Sequence, residues 1–169
     1  MLAPSERPLV AEEDLIPPDP EHPQTRILEL DELWSFVQKR ENKVWVWIAL
    51  CRGTRQIVGC ALGDRSANTC RKLWASIPEA FRGNHCYSDF WDAYAQVVPE
   101  GRHSAVGKET GETAHVERWN NTLRQRLARF TRKTLSFSKT LQMHTICLSR
   151  FLHRYNRDRK HLWLKAHPS

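Results

Sequence analysis

A chain of 169 residues, 40% hydrophobic, is long enough to bury one full core without disulfide or metal staples. It holds no stretch of about eighteen apolar residues, which excludes a membrane-spanning helix, and its N-terminus lacks the basic start and apolar stretch of a secretory signal. The net charge of +7 is lopsided: residues 118–169 carry thirteen Lys/Arg against the single acid Asp158, whereas residues 1–117 carry thirteen against eighteen acids. A basic last third on an otherwise acidic chain points to a polyanionic partner, most commonly nucleic acid. Five cysteines (51, 60, 70, 86, 147) form an odd set without a CxxC pair, which predicts reduced thiols in a cytosolic protein and argues against a zinc site.

Residues 1–25 contain six Pro and mixed charges without a period, the composition of a disordered or extended leader. RILELDELWSFV (26–37) alternates as a strand, and KVWVWIALC (43–51) is apolar on both faces, as in a sheet centre. QIVGCALG (56–63) returns after the turn CRGTRQ, giving an antiparallel pair. Asp64 or Ser66 then caps a helix carrying Leu73, Trp74 and Ile77. NHCYSD (84–89) reads as a short strand, DAYAQVV (92–98) as a helix, HSAVGK (103–108) as another strand and ETGETA (109–114) as a polar loop. In the next helix Val116, Trp119, Leu123, Leu127 and Phe130 form one apolar stripe. In the last, Leu141, Leu148, Leu152 and Tyr155 do so, with Ser138 as the candidate cap. The order predicts one mixed sheet, its first three strands antiparallel, covered by helices over residues 26–160, followed by a tail at 161–169.

Three carboxylates stand out by position. Asp31 lies inside the first strand, where a carboxylate costs several kcal/mol of desolvation unless a cation or donors meet it. Asp89 ends the fourth strand, at the strand edge where mixed α/β sheets place sites. Glu117 stands early on its helix, sharing one flank with Asn121 and Arg124. Gathered together, three such groups repel one another unless hard cations such as Mg²⁺ or Mn²⁺ neutralise them. Glu32 alternates to the opposite face of the strand, Asp92 suits a helix start and Asp64 a cap, and His115 suits a loop or capping position, although Asp92 stays open as a second ligand and His115 as a group that touches substrate or metal.

The blocks LELDELWSFVQKR, LGDRSANT, YSDFWDAY and HVERWNNTLRQRLARFTRKTLSFSKT resemble, in that order, the InsB-type transposases of the insertion sequence 1 family, over about residues 26–155. The resemblance implies DDE chemistry on a ribonuclease-H-like fold with two divalent ions, Mg²⁺ with Mn²⁺ able to substitute. Asp31, Asp89 and Glu117 match the triad, and Arg124 matches the basic residue seven beyond the Glu that contacts the element's end. It also implies a cytoplasmic, nucleoid-associated protein acting on element ends and target DNA as a homo-oligomer. Family members act as frameshift fusions with an upstream zinc-finger and helix-turn-helix module, whose patterns do not occur in 1–169. The segment between Asp89 and Glu117 is slightly longer than the family spacing, and the leader is not family-like.

Beside the triad, Asn121, Arg118, Arg126, Arg129, Arg132, Lys133 and Lys139 are the expected DNA-holding residues, with Arg118, Gln125 and Arg129 opposite the apolar stripe. The function so read is metal-dependent cleavage at mobile-element ends followed by strand transfer of the 3′-hydroxyl. A ribonuclease-H-like nuclease without strand transfer and a non-catalytic DNA-binding regulator are the alternatives.

Overall fold

The computed structural model describes residues 7–131 and 136–169. Strands β1 (Ile27–Val37), β2 (Lys39–Cys51) and β3 (Ile57–Gly63) form an antiparallel meander. Then follow α1 (Ala67–Ser76), α2 (Glu79–Arg82), β4 (His85–Ser88), α3 (Asp92–Val97), β5 (His103–Ala105), α4 (Ala114–Arg126) and α5 (Leu141–Ala166). The sheet order is β3-β2-β1-β4-β5, with β4 parallel to both β1 and β5. This is the ribonuclease-H-like mixed five-stranded sheet that the element order and the resemblance predict.

β2 explains why the sheet is covered on both sides. Its residues alternate between two apolar sets, Trp47, Ala49 and Cys51 on one face and Val46, Ile48 and Leu50 on the other. The first set packs with Leu73 and Ile77 around α1, Phe81 of α2, and Ala93 and Tyr94 of α3. The second packs with Val116, Trp119 and Leu123 of α4 and Leu148 and Leu152 of α5. Trp47 is fully buried and its Nε1 donates to Asp64 O at 2.8 Å, fixing the approach to α1. Truncating such a side chain to Ala costs about 3–5 kcal/mol.

Several local features differ from the sequence reading. The leader is not loose from residue 7 onward. Leu15 is buried, and the Gln56 side chain donates to Asp14 O (2.7 Å) and accepts from Ile16 N (2.8 Å). Gly53 lies so close to Thr25 that a Cβ would come within 2.7 Å of its backbone nitrogen. Tertiary hydrogen bonds hold this segment, and composition does not register them. β2 begins at Lys39, because the polar KRENK arm pairs with β1 although it lacks apolar alternation. α4 stops at Arg126, so Leu127 and Phe130 leave the helix and pack from a 3₁₀ turn. α5 is capped by the Thr140 hydroxyl, which accepts from Met143 N at 3.1 Å, and it continues past 160 to Ala166. Ser138, the expected cap, is buried and bridges to Val37 instead. Asp64, by contrast, accepts from Ser66 N (3.1 Å) and Thr69 Oγ1 (2.8 Å) at the start of α1. All five cysteines are free; burial pushes the Cys70 and Cys86 thiols up to about 12.

His144 joins α5 to the sheet. Its Nε2 lies 2.7 Å from Ser35 Oγ, its Nδ1 2.8 Å from Ser138 Oγ, and its ring stacks on Phe130. Ser35 Oγ already donates to Val44 O at 2.9 Å, so it must accept from Nε2–H, and Ser138 then donates to Nδ1. Burial, assisted by Arg129, lowers the His144 pKa to about 4. The unfolded chain therefore binds a proton near pH 6.5 that the folded chain refuses until about pH 4, and this stabilisation is lost as pH falls through that window. Chemical denaturation of wild type and His144→Gln should show the wild-type advantage shrinking by about 2–3 kcal/mol between pH 7 and pH 4.5. A constant gap would mean that the imidazole is not held neutral.

Candidate active site

Parallel pairing sets the geometry. β1 and β4 run side by side through the pair Glu29↔Tyr87. Asp31 and Asp89 each stand two residues further on, so the shared pleat phase brings both side by side just past the point where the parallel pairing of β1 with β4 ends. β4 ends at Ser88 while β1 runs on to Val37, and a cleft of about 510 Å³ opens where β1 has lost that neighbour. Helix α4 supplies the facing wall. Glu117, Asn120, Asn121 and Arg124, at steps of three, one and three, all line it, joined by Lys108.

Carboxylate oxygens of Asp31, Glu32 and Asp89 all lie within 4.8 Å of one another. Asp31 accepts from Asn120 Nδ2 (2.7 Å) and from Glu32 N (2.9 Å). Burial first, then the Glu32 charge, with Asp89 and Glu117 adding, pushes its carboxyl up to about 7 against the help of the Glu32 amide. Glu32 is buried from the other side of the strand, where Tyr94 OH (2.5 Å) and Arg65 Nη2 (2.9 Å) donate to it. Arg65 is itself held between the Trp45 and Trp91 rings, 4.8 and 4.1 Å from its guanidinium carbon. Burial raises the Glu32 pKa, with Tyr94 and Arg65 opposing. Asp89 accepts from Trp91 N at 3.0 Å. Glu117 lies outside the 4.8 Å group, on the α4 wall, with its Oε1 accepting from Thr113 Oγ1 at 3.0 Å.

The donor set fits a hard divalent cation: it is all oxygen, crowded with like charge, and includes an Asn120 Oδ1 that is buried without a hydrogen-bond partner. Among the expected site residues, Asp31, Asp89, Glu117, Asn121 and Arg124 thus share one cleft. Asp92 stands exposed at the start of α3. Arg118 is exposed on the other flank of α4, Arg126 lies beside Arg150 and Arg154 of α5, Arg129 is half-buried and Lys139 exposed. Arg132 and Lys133 lie outside the described residues.

Sequence reading sets Glu32 aside and does not single out Glu29 or Asn120. Glu29 is fully buried and accepts from His115 N (2.9 Å) and Val116 N (3.1 Å), capping α4 from the neighbouring strand. His115 Nδ1 (2.7 Å) and Arg52 Nε (2.9 Å) meet the same carboxylate, and Arg52 also reaches Glu112 at 2.8 Å. The signal available was parity: Glu29 and Asp31 fall on one face of β1, and Asn120 lies one turn beyond Glu117.

Residues 26–157 match the family model described as IS1 transposase. The chain belongs to the IS1 transposase family. It is 36% identical over 129 residues to the insertion element iso-IS1n protein InsB of Shigella dysenteriae, covering 76% of this chain and 95% of that protein. It is 33% identical over 124 residues to the insertion element IS1 protein InsB of Shigella flexneri, covering 73% and 92%. The insertion element IS1 4 protein InsB of Escherichia coli K12 is 32% identical over 124 residues, covering 73% and 72%. The resemblance read from the motif blocks is borne out over nearly the same span. Membership makes this IS1-family chain a transposase, with DNA as its partner. No helix among the described residues is long and apolar enough to cross a membrane.

Glu29 ties α4 to the sheet, so Glu29→Gln leaves Arg52 and His115 facing a neutral amide in a buried setting. Denaturant unfolding should show a loss of about 3–5 kcal/mol, the cost of breaking a buried pair. A loss below about 1 kcal/mol would show that α4 is placed by its apolar stripe alone.

Proposed function

We propose that this domain cuts phosphodiester bonds at the ends of a mobile element and joins the freed 3′-hydroxyl to target DNA. The observation that carries the reading is the convergence of Asp31, Glu32, Asp89 and Glu117 on one cleft of an IS1-family chain. Asp31 and Asp89 would share two divalent ions, Mg²⁺ or Mn²⁺, and Glu117 would complete the second. Bound there, such ions activate a water or 3′-hydroxyl and stabilise the leaving oxygen.

The chain's own groups supply the rest. Asn120 holds the Asp31 carboxylate in one orientation through its 2.7 Å hydrogen bond, leaving the other oxygen to the Glu32 amide. Tyr94 and Arg65 fix Glu32 from behind, so its charge is partly engaged on the far side of the strand. Arg124, Asn121 and Lys108 line the same cleft as the carboxylates and are placed to hold a DNA phosphate against them. These contacts carry no base information, and sequence reading is assigned to a separate zinc-finger and helix-turn-helix module. Copies of the chain assemble on the paired element ends.

Glu117→Gln tests the reading directly. It keeps the side chain's shape, removes a charge wanted by metal and repelled by phosphate, and should lower Mg²⁺- or Mn²⁺-dependent nicking of element-end DNA more than about 100-fold. Duplex affinity should stay equal or rise slightly. Parallel loss of cleavage and binding would make Glu117 a structural residue. Strand joining by the wild type, assayed on the same substrate, separates a transposase from a plain nuclease.

A further inference from the structure

On the flank of α4 facing away from the carboxylates lies a second cavity, of about 240 Å³. Arg55, Arg118 and Arg159 line it, together with Trp119, Tyr155 and His115. The three arginines come from the β2–β3 turn, α4 and α5 respectively, so only the tertiary fold assembles them. Among the described residues, none of the three stands within ion-pair distance of a carboxylate, and the oxygens of nearby Glu29 are occupied by Arg52 and His115. Burial lowers the Arg55 pKa, opposed by Glu29 and helped by Arg159 and Arg118.

The turn is held in this arrangement at a cost. Arg55 has a φ of 63°, in the left-handed region that a long L side chain rarely adopts. Three hydrogen bonds enforce it: Arg55 N donates to Cys51 O (2.9 Å), Tyr155 OH donates to Arg55 O (2.6 Å), and Arg159 Nε donates to Thr54 O (3.1 Å). In the same wall Trp119, only 3% exposed, has an Nε1 that is buried without a hydrogen-bond partner. Three guanidinium groups outside ion-pair distance of any carboxylate among the described residues, a strained turn carrying one of them and an unspent N–H donor form a site made for an oxyanion.

We propose that Arg55, Arg118 and Arg159 grip a backbone phosphate of duplex DNA on the face of α4 opposite the catalytic cleft. The inference rests on the chain's acting on DNA, and it adds a second, non-catalytic hold on the duplex. Exposed Arg150 and Arg154 of α5 extend the positive surface beyond Tyr155, which suits a continuous backbone more than a small free anion.

The test is duplex binding by fluorescence anisotropy in Ca²⁺, across a salt series, for the full chain and its Arg118→Gln and Arg55→Gly/Arg118→Gln variants. Glycine accepts the left-handed φ at position 55, so the double variant removes charge without adding backbone strain. The expected result is about tenfold weaker binding by the double variant and a log–log salt slope smaller by about one for each phosphate no longer held. Thermal melting close to wild type, with Arg118→Gln alone giving part of the effect, assigns the weakening to the arginines rather than to the fold. Unchanged affinity and slope would overturn the proposal, and so would inorganic phosphate or pyrophosphate shifting the Trp119 indole N–H resonance while the variants bind DNA as wild type does. Cleavage by the wild type, measured alongside, keeps the two readings apart. Cleavage with unaltered variant binding sinks only this site, whereas weakened variant binding without any wild-type cleavage sinks only the catalytic reading.

Discussion

Glu29 sits in the middle strand of the sheet, sealed from solvent, and gathers two first-turn amides of α4, the His115 imidazole and the Arg52 guanidinium. A buried carboxylate demands such partners, and here they come from separate stretches of chain. The amino-terminal end of α4 is thereby docked on β1 two residues before Asp31. That docking decides where Glu117, Asn120, Asn121 and Arg124 fall. The cleft is therefore the space between a helix fixed at its first turn and a strand that has outrun its parallel neighbour.

Like charge dominates within the cleft. Asp31, Glu32 and Asp89 crowd within 4.8 Å, and the fold restrains them with donors on their outer sides: Asn120 on Asp31, Tyr94 and Arg65 on Glu32, the Trp91 amide on Asp89. Burial and the neighbouring negative charges outweigh these donors at Asp31 and push its carboxyl up to about 7. The opposite flank of α4 has the reverse polarity, with Arg118 among other arginines. One helix thus divides an acidic cleft from a basic surface, an arrangement suited to placing a phosphodiester at the first while the second bears on its polyanion.

Much of this was legible in the amino-acid order. Alternation marked β1, a run apolar on both faces marked β2, its return after the CRGTRQ turn marked β3, and helical spacing placed Glu117, Asn121 and Arg124 on one flank, the flank that lines the cleft. What escaped the sequence depends on partners distant in the chain. Glu29 looks like an ordinary charged residue in a strand until β4 and α4 close over it, and Gln56 reveals nothing of its grip on Asp14 and Ile16. Alternation sends Glu32 to the opposite face, yet along the edge of β1 that β4 no longer covers a long side chain still brings an oxygen near Asp31. The cap of α5 eludes the sequence for a similar reason: Ser138 has the right chemistry, but Val37 and His144 claim it first.

Everything proposed for the cleft depends on this crowded carboxylate group being a divalent-cation site. Calorimetric titration of the chain with Mn²⁺ at neutral pH, wild type beside Asp31→Asn and Asp89→Asn, tests that without any DNA substrate. The expected result is saturable binding of two ions to the wild type, at least about tenfold weakened in either variant, with a rise in melting temperature as the charges are neutralised. Absent Mn²⁺ binding at millimolar concentration, or binding that both substitutions leave untouched, would contradict it.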